Sequence, residues 1–201
     1  MKLKRYLSMP FLAMPFLAAF SMLIAGPAMA DMLDVNLNNN TAQFQYSTAN
    51  SVNAQGKADI HAGVLYNNAK SLLANIGVMV TNSLEAAPGT SVGIGMEALA
   101  ANIKDNPPLT SNATAIALDA LVRYSPPTAS QVGFAGEVHY APKILTFGDA
   151  VRYTQSIVRL EYELAPSSVV YVGYRRTSFG IKNIQAAQLD SGVHVGFKIA
   201  F

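Results

Sequence analysis

Beyond residue 30 the chain repeats one pattern. Apolar residues alternate with small or polar ones in segments of about ten residues, separated by Asn, Gly, Pro and Ser clusters. A period of two puts successive side chains on opposite faces of an extended strand. "ADIHAGVLY" sets Ile60, Ala62, Val64 and Tyr66 against Asp59, His61 and Gly63. "SLLANIGVMVT", "SVGIGMEA", "AIALDALVRY", "QVGFAGEVHY", "RYTQSIVRLEYEL", "SVVYVGYRR" and "SGVHVGFKIAF" read in the same way. No helical stripe competes with them, so the chain is all-β.

Alternation alone fits two architectures. A soluble antiparallel sandwich turns its apolar face inward, whereas a transmembrane barrel turns it outward to lipid. Three features favour the barrel. The polar face is rich in Gly and Ala, as a narrow lumen requires. Tyr66, Tyr124, Tyr140, Tyr171, Tyr174 and Phe201 stand where apolar runs stop, as interfacial girdles do. The connectors also alternate: "SPPTAS" and "APSS" are tight, while "NIKDNPPLTSNA", "APKILTFGDA" and "TSFGIKNIQAAQLD" are long. With two short strands around "NNN" near the start, the expectation is an antiparallel transmembrane β-barrel of about 8–10 strands.

The amino terminus sets the compartment. "MKLKRY" is basic, residues 6–30 carry no charge, and "GPAMA" ends in an A-x-A pattern at Ala28 and Ala30. That is the form of a cleaved secretory signal peptide, residues 1–30, leaving a barrel domain of 31–201. "MPFLA" repeats in tandem at 9–13 and 14–18, lengthening the apolar part. An uncleaved anchor is the alternative; Pro10, Pro15, Pro27 and the Ala-Met-Ala site argue against it. Removing this segment takes Lys2, Lys4 and Arg5, so 11 basic residues face 12 acidic ones and no basic face for nucleic acid remains. The absence of cysteine excludes disulfides and thiolate metal sites.

The final strand is the most regular. Val193, Val195, Phe197, Ile199 and Phe201 share one face, and His194 and Lys198 lie on the other. This segment resembles the terminal signature of Gram-negative outer-membrane barrels, which implies that Phe197, Ile199 and Phe201 are read by the barrel-assembly machinery. Taken with "LDVNLNNNTAQFQYS", "GEVHYAPKILTFGDAVRY", "RLEYELAP" and "VYVGYRR", the chain resembles the YfaZ family of outer-membrane proteins. The resemblance implies location and architecture: the Gram-negative outer membrane, contact with lipid and lipopolysaccharide, and a monomer. It carries no substrate, cofactor or catalytic residue.

On the polar face stand His61, Glu97, Asp119, Arg123, Glu137, His139, Arg159, Glu161, Glu163, His194 and Lys198, with Asp59. One reading is a metal-binding or hydrolytic constellation. The plainer one, preferred here, is a network of mutually paired lumen charges, since an unpaired buried charge is costly. No cofactor is expected. Ser191 and His194 are three apart, on opposite faces of a regular strand, and no G-x-S-x-G or H-E-x-x-H occurs, so the chain is not expected to be an enzyme. A rim hydrolase is the alternative. The apolar Ile144, Leu145 and Phe147 sit in an external loop that folds into or caps the pore or contacts a partner, or else packs on a neighbouring loop. Arg175 and Arg176 are read as ending a strand near lipopolysaccharide phosphates. The expected function is a narrow or gated pore, or a structural or binding barrel.

Overall fold

The computed structural model describes residues 30–51, 56–105, 109–182 and 186–201. The expected signal peptide and its Ala28 lie outside them, and Ala30 opens the first strand. The elements are β1 (Ala30–Leu37), β2 (Thr41–Ser51), β3 (Gly56–Asn67), β4 (Leu72–Ser83), β5 (Thr90–Asp105), β6 (Leu109–Tyr124) and β7 (Val132–Ala141). A single 3-10 turn (Lys143–Leu145) and the short β8 (Thr146–Gly148) follow, then β9 (Ala150–Ala165), β10 (Ser168–Ile181) and β11 (Ala187–Ala200). Ten long strands pair antiparallel in chain order, and β1 pairs with β11 to close the ring. Closure removes every sheet edge, as a strand-built membrane span requires. It also sets aside the sandwich alternative.

The period-two expectation holds on the outer wall. Ile60, Ile76, Val78, Ile94, Met96, Leu118, Val122, Val138, Val158, Leu160, Val193 and Val195 all point outward and are exposed. A continuous belt of this kind is unlike a water-facing surface, where apolar patches stay small. Tyr66, Tyr124, Tyr140 and Tyr174 are exposed on the same face. Tyr171 is a correction: it is buried and points into the lumen. Gly196 opposite leaves it room, because a Cβ there would collide with the Tyr171 ring.

The connectors also depart from expectation. β5 runs to Asp105 before β6 starts at Leu109, and β10 runs to Ile181 before β11 starts at Ala187. Much of "NIKDNPPLTSNA" and "TSFGIKNIQAAQLD" is therefore strand. Connector length does not separate the two ends of the barrel, since residues 84–89 and 125–131 are longer than 38–40, 68–71 and 182–186 opposite. Polar composition marked these segments as loops, but a strand that rises beyond the lipid needs no apolar face there.

The 141–150 segment joins the barrel wall and turns one side chain, Leu145, toward the interior. β7 pairs with β6 only as far as Leu118↔Tyr140. Above that point β8 takes over, pairing Ala113↔Gly148, Thr114↔Phe147 and Ala115↔Thr146. Leu145 packs on the interior, while Ile144 and Phe147 are exposed. Gly148 turns at φ 71, and a Cβ there would stand 2.6 Å from the Asn112 carbonyl, so glycine is required. The segment completes the wall above a short strand.

Inside, the lumen is layered. The half toward the β1–β2 and β3–β4 turns, here the loop end, is apolar: Leu65, Leu73, Leu99, Ile103, Tyr153, Phe179, Ile181 and Leu189 pack with alanines of β5, β6 and β7. Tyr153 and Phe179 stack at 4.8 Å, and the Tyr153 hydroxyl donates to Gln155 Oε1 at 2.6 Å. The expectation of a lumen lined throughout by glycine and charge is thus corrected. Most charges fill the half nearer the chain termini, while Arg175 and Asp190 stand beside the β1–β2 turn with Asn36, Asn38, Thr41 and Gln43. About eight strands give an interior just filled by side chains, and ten remain on that side of the range.

Candidate functional site

The polar side chains of the lumen fall into three groups. In the first, Arg175 is fully buried and ties together β1, β2, β10 and β11. Its Nε donates to Asp190 Oδ2 at 2.5 Å, one terminal nitrogen donates to Asn36 Oδ1 at 2.9 Å and to Gln43 Oε1, and the other to Thr41 Oγ1 at 3.1 Å. Asn38 donates to the second Asp190 oxygen at 2.8 Å. Sequence reading missed this cluster and aimed Arg175 at lipid. The strand continues six residues past Arg175 to Ile181, so it is not a strand end; it shares the inward parity of Tyr171 and Gly173. Arg176, one residue on, is exposed on the outer face.

The second group pairs acids with fixed cations. Arg159 binds Glu137 and approaches Glu161 at 3.5 Å. Lys198 Nζ reaches Glu161 at 2.7 Å, and Arg123 reaches its other oxygen at 2.8 Å. The Tyr171 hydroxyl donates to Asp34, while Arg159 and Lys198 each sit 5.4 Å from its ring centroid. These are the mutually paired lumen charges of the sequence reading. Glu163 does not join them: it keeps the right face but lies exposed at the end of β9. His194 stands apart as well, buried edge-on to Tyr171 at 5.8 Å.

The third group has no lysine or arginine partner. His61 of β3, Glu97 of β5, Asp119 of β6 and His139 of β7 converge from strands that lie side by side in the wall. His61, Glu97 and Asp119 each offer a ligand atom within 4.8 Å of the others. His61 Nε2 is 3.9 Å from Glu97 Oε2, and His139 Nδ1 is 2.8 Å from Asp119 Oδ1 and 3.4 Å from Glu97 Oε1. Asn75 of β4 donates to Glu97 Oε2 at 2.7 Å. Gly77 and Ala117 flank the group, and a Cβ on Gly77 would sit 2.6 Å from His61 Nε2. The glycine opens the space that the imidazole fills.

Glu97 and Asp119 side chains are almost wholly covered, whereas Arg123, four residues beyond Asp119 along β6, is 41% exposed. The lumen thus carries apolar packing and the Arg175 cluster at the loop end, and Arg123 reaches solvent at the other. Ser191, weighed as a nucleophile, shares a 2.9 Å hydrogen bond with the Tyr174 hydroxyl on the outer wall, away from His194 in the lumen.

A closed, even-numbered antiparallel ring with an apolar exterior and a charged interior defines an outer-membrane β-barrel protein. The chain belongs to the YfaZ precursor family, whose model matches residues 16–201. Comparison with curated proteins finds no match. Among solved structures it is similar to the outer membrane channel DcaP of Acinetobacter baumannii, at 10% identity and a TM-score of 0.45, covering 88% of this chain and 60% of that one. It is also similar to the NanC porin, at 13% identity and a TM-score of 0.47, covering 87% and 99%. OmpT of Vibrio cholerae matches at 14% identity and a TM-score of 0.41, over 80% and 56%. The fold assignment rests on the strand pairing itself.

Proposed function

We propose that this protein is a closed barrel of the Gram-negative outer membrane, a structural or binding barrel that presents a polar cup to the periplasm and does not conduct freely. The observation that carries this reading is the apolar layer of Leu65, Leu99, Ile103, Tyr153, Phe179 and Leu189 across the loop-end half of the lumen. These side chains are buried against one another, and protein interiors packed at this kind of contact hold few voids larger than a water. A solute can still reach the charged half from the terminus end, past Arg123.

The orientation follows from the resemblance of the final strand to outer-membrane barrels. Phe197, Ile199 and Phe201 are exposed on the outer wall, where the barrel-assembly machinery reads them in this reading. Lipid covers the apolar belt, exposed Arg176 serves lipopolysaccharide phosphates, and the barrel works as a monomer. No catalytic step is assigned.

Planar-bilayer recording tests the proposal. The folded wild-type protein is expected to give no steady conductance, and the Tyr153→Ala/Phe179→Ala double variant is expected to open a pathway. Regular single-channel steps from the wild type would overturn the closed-barrel reading and restore the pore.

A further inference from the structure

We propose that His61, Glu97 and Asp119 form a binding site for one divalent transition-metal cation of the zinc class inside the barrel. The inference needs only the barrel and is independent of whether the lumen conducts.

Charge balance comes first. Each fixed cation in this part of the lumen is committed elsewhere: Arg159 to Glu137 and Glu161, and Lys198 and Arg123 to Glu161. Glu97 and Asp119, both buried, face imidazoles and an amide alone. Two buried carboxylates without a counter-charge are costly. A dication at their junction neutralises both.

Hydrogen bonding supplies the second, independent observation. Each carboxylate has one oxygen held by a neighbour: Asp119 Oδ1 accepts from His139 Nδ1, and Glu97 Oε2 accepts from Asn75 Nδ2. The other oxygen of each, Asp119 Oδ2 and Glu97 Oε1, is buried with no hydrogen-bond partner. An orphaned buried acceptor calls for an explanation such as an ion. The Asn75 carbonyl oxygen is orphaned at the same place. Three buried acceptors of this cluster thus lack a hydrogen bond, and His61, Glu97 and Asp119 each bring a ligand atom within 4.8 Å of the others.

The dimensions agree. Bonds of about 2.1 Å to nitrogen and oxygen place tetrahedral ligand atoms roughly 3.4 Å apart. The distances here, 3.9 Å from His61 to Glu97 and at most 4.8 Å across the triad, contract to that spacing with small side-chain adjustments. His139 then orients Asp119 from outside the ligand set, as a hydrogen-bonded partner of a ligating carboxylate does. Imidazole nitrogen together with carboxylate oxygen suits zinc better than calcium or magnesium, which take all-oxygen shells.

The test uses the untagged full chain, folded in detergent, stripped with a chelator and dialysed. Zinc is titrated against a chromogenic chelator, and cobalt(II) is added in parallel to read its visible absorption. One zinc per chain is expected, with tetrahedral-type cobalt bands. His61→Gln and Asp119→Asn should each weaken binding by at least about 10-fold and bleach those bands. His194→Gln, which alters the lumen histidine outside the triad, should leave both unchanged. Retained heat-modifiable gel mobility shows that each variant is folded. Absence of stoichiometric uptake by the folded wild type would overturn the proposal. Uptake that survives both ligand variants would overturn it equally, as binding at some other place.

Discussion

Two polar clusters sit within the same barrel, and both are buried, yet they are built on opposite principles. Around Arg175 every element is matched: one cation, one carboxylate, and Asn36, Asn38, Gln43 and Thr41 to occupy the remaining donors and acceptors. Around Glu97 and Asp119 the count fails, with two carboxylates, no lysine or arginine, and orphaned oxygens. A satisfied buried cluster fixes geometry. An unsatisfied one stores a capacity to bind something. Degree of satisfaction, more than burial or charge, separates a structural network from a candidate site.

The contrast can be broken most directly at Arg175. Arg175→Met leaves Asp190 buried without its cation, and is expected to cost about 3–5 kcal/mol. Urea unfolding followed by tyrosine fluorescence, since the chain has no tryptophan, measures it. A loss below that of Asp119→Asn in metal-free protein would erase the distinction. A smaller effect is expected at Gly77→Ala, where the new methyl meets His61 Nε2 and Glu97 Cβ. Overpacking of this kind costs about 1–3 kcal/mol, and here it should also displace the imidazole and weaken zinc uptake. Equal zinc binding by Gly77→Ala would mean that His61 is not held where the wall places it. The smallest change is expected for Glu163→Gln, which lies exposed beyond the network and should stay within about 0.5 kcal/mol of wild type. A larger loss would return Glu163 to the lumen charges.

The sequence disclosed some of this and hid the rest for identifiable reasons. His61, Glu97, Asp119 and His139 were assigned the correct face because a strict period of two survives through "ADIHAG", "GIGMEA", "IALDAL" and "GEVHY". Arg175 and Tyr171 were misplaced together. Both obey inward parity, but the strand was ended at Arg176 and tyrosine was taken as a girdle residue. The apolar layer was invisible for a different reason. Leu65 stands between Val64 and Tyr66, and Leu73 beside Leu72, so both faces of the strand are apolar there and the alternation carries no sign. Which acids lack a fixed cation is a property of five strands brought side by side. No single segment contains it.

The seam between β1 and β11 has a consequence for how the molecule is made. Six residue pairs join these strands, from Met32↔Ala200 to Leu37↔Val195, and Asp31 and Phe201 exchange backbone hydrogen bonds below them. The seam is short, and the Arg175 cluster with the Tyr171–Asp34 contact binds it from the inside. Without β11 against β1, two strand edges would face lipid with unmet backbone groups. The wall therefore closes all together, as strands distant in sequence meet, and no subset of its strands is a membrane span by itself.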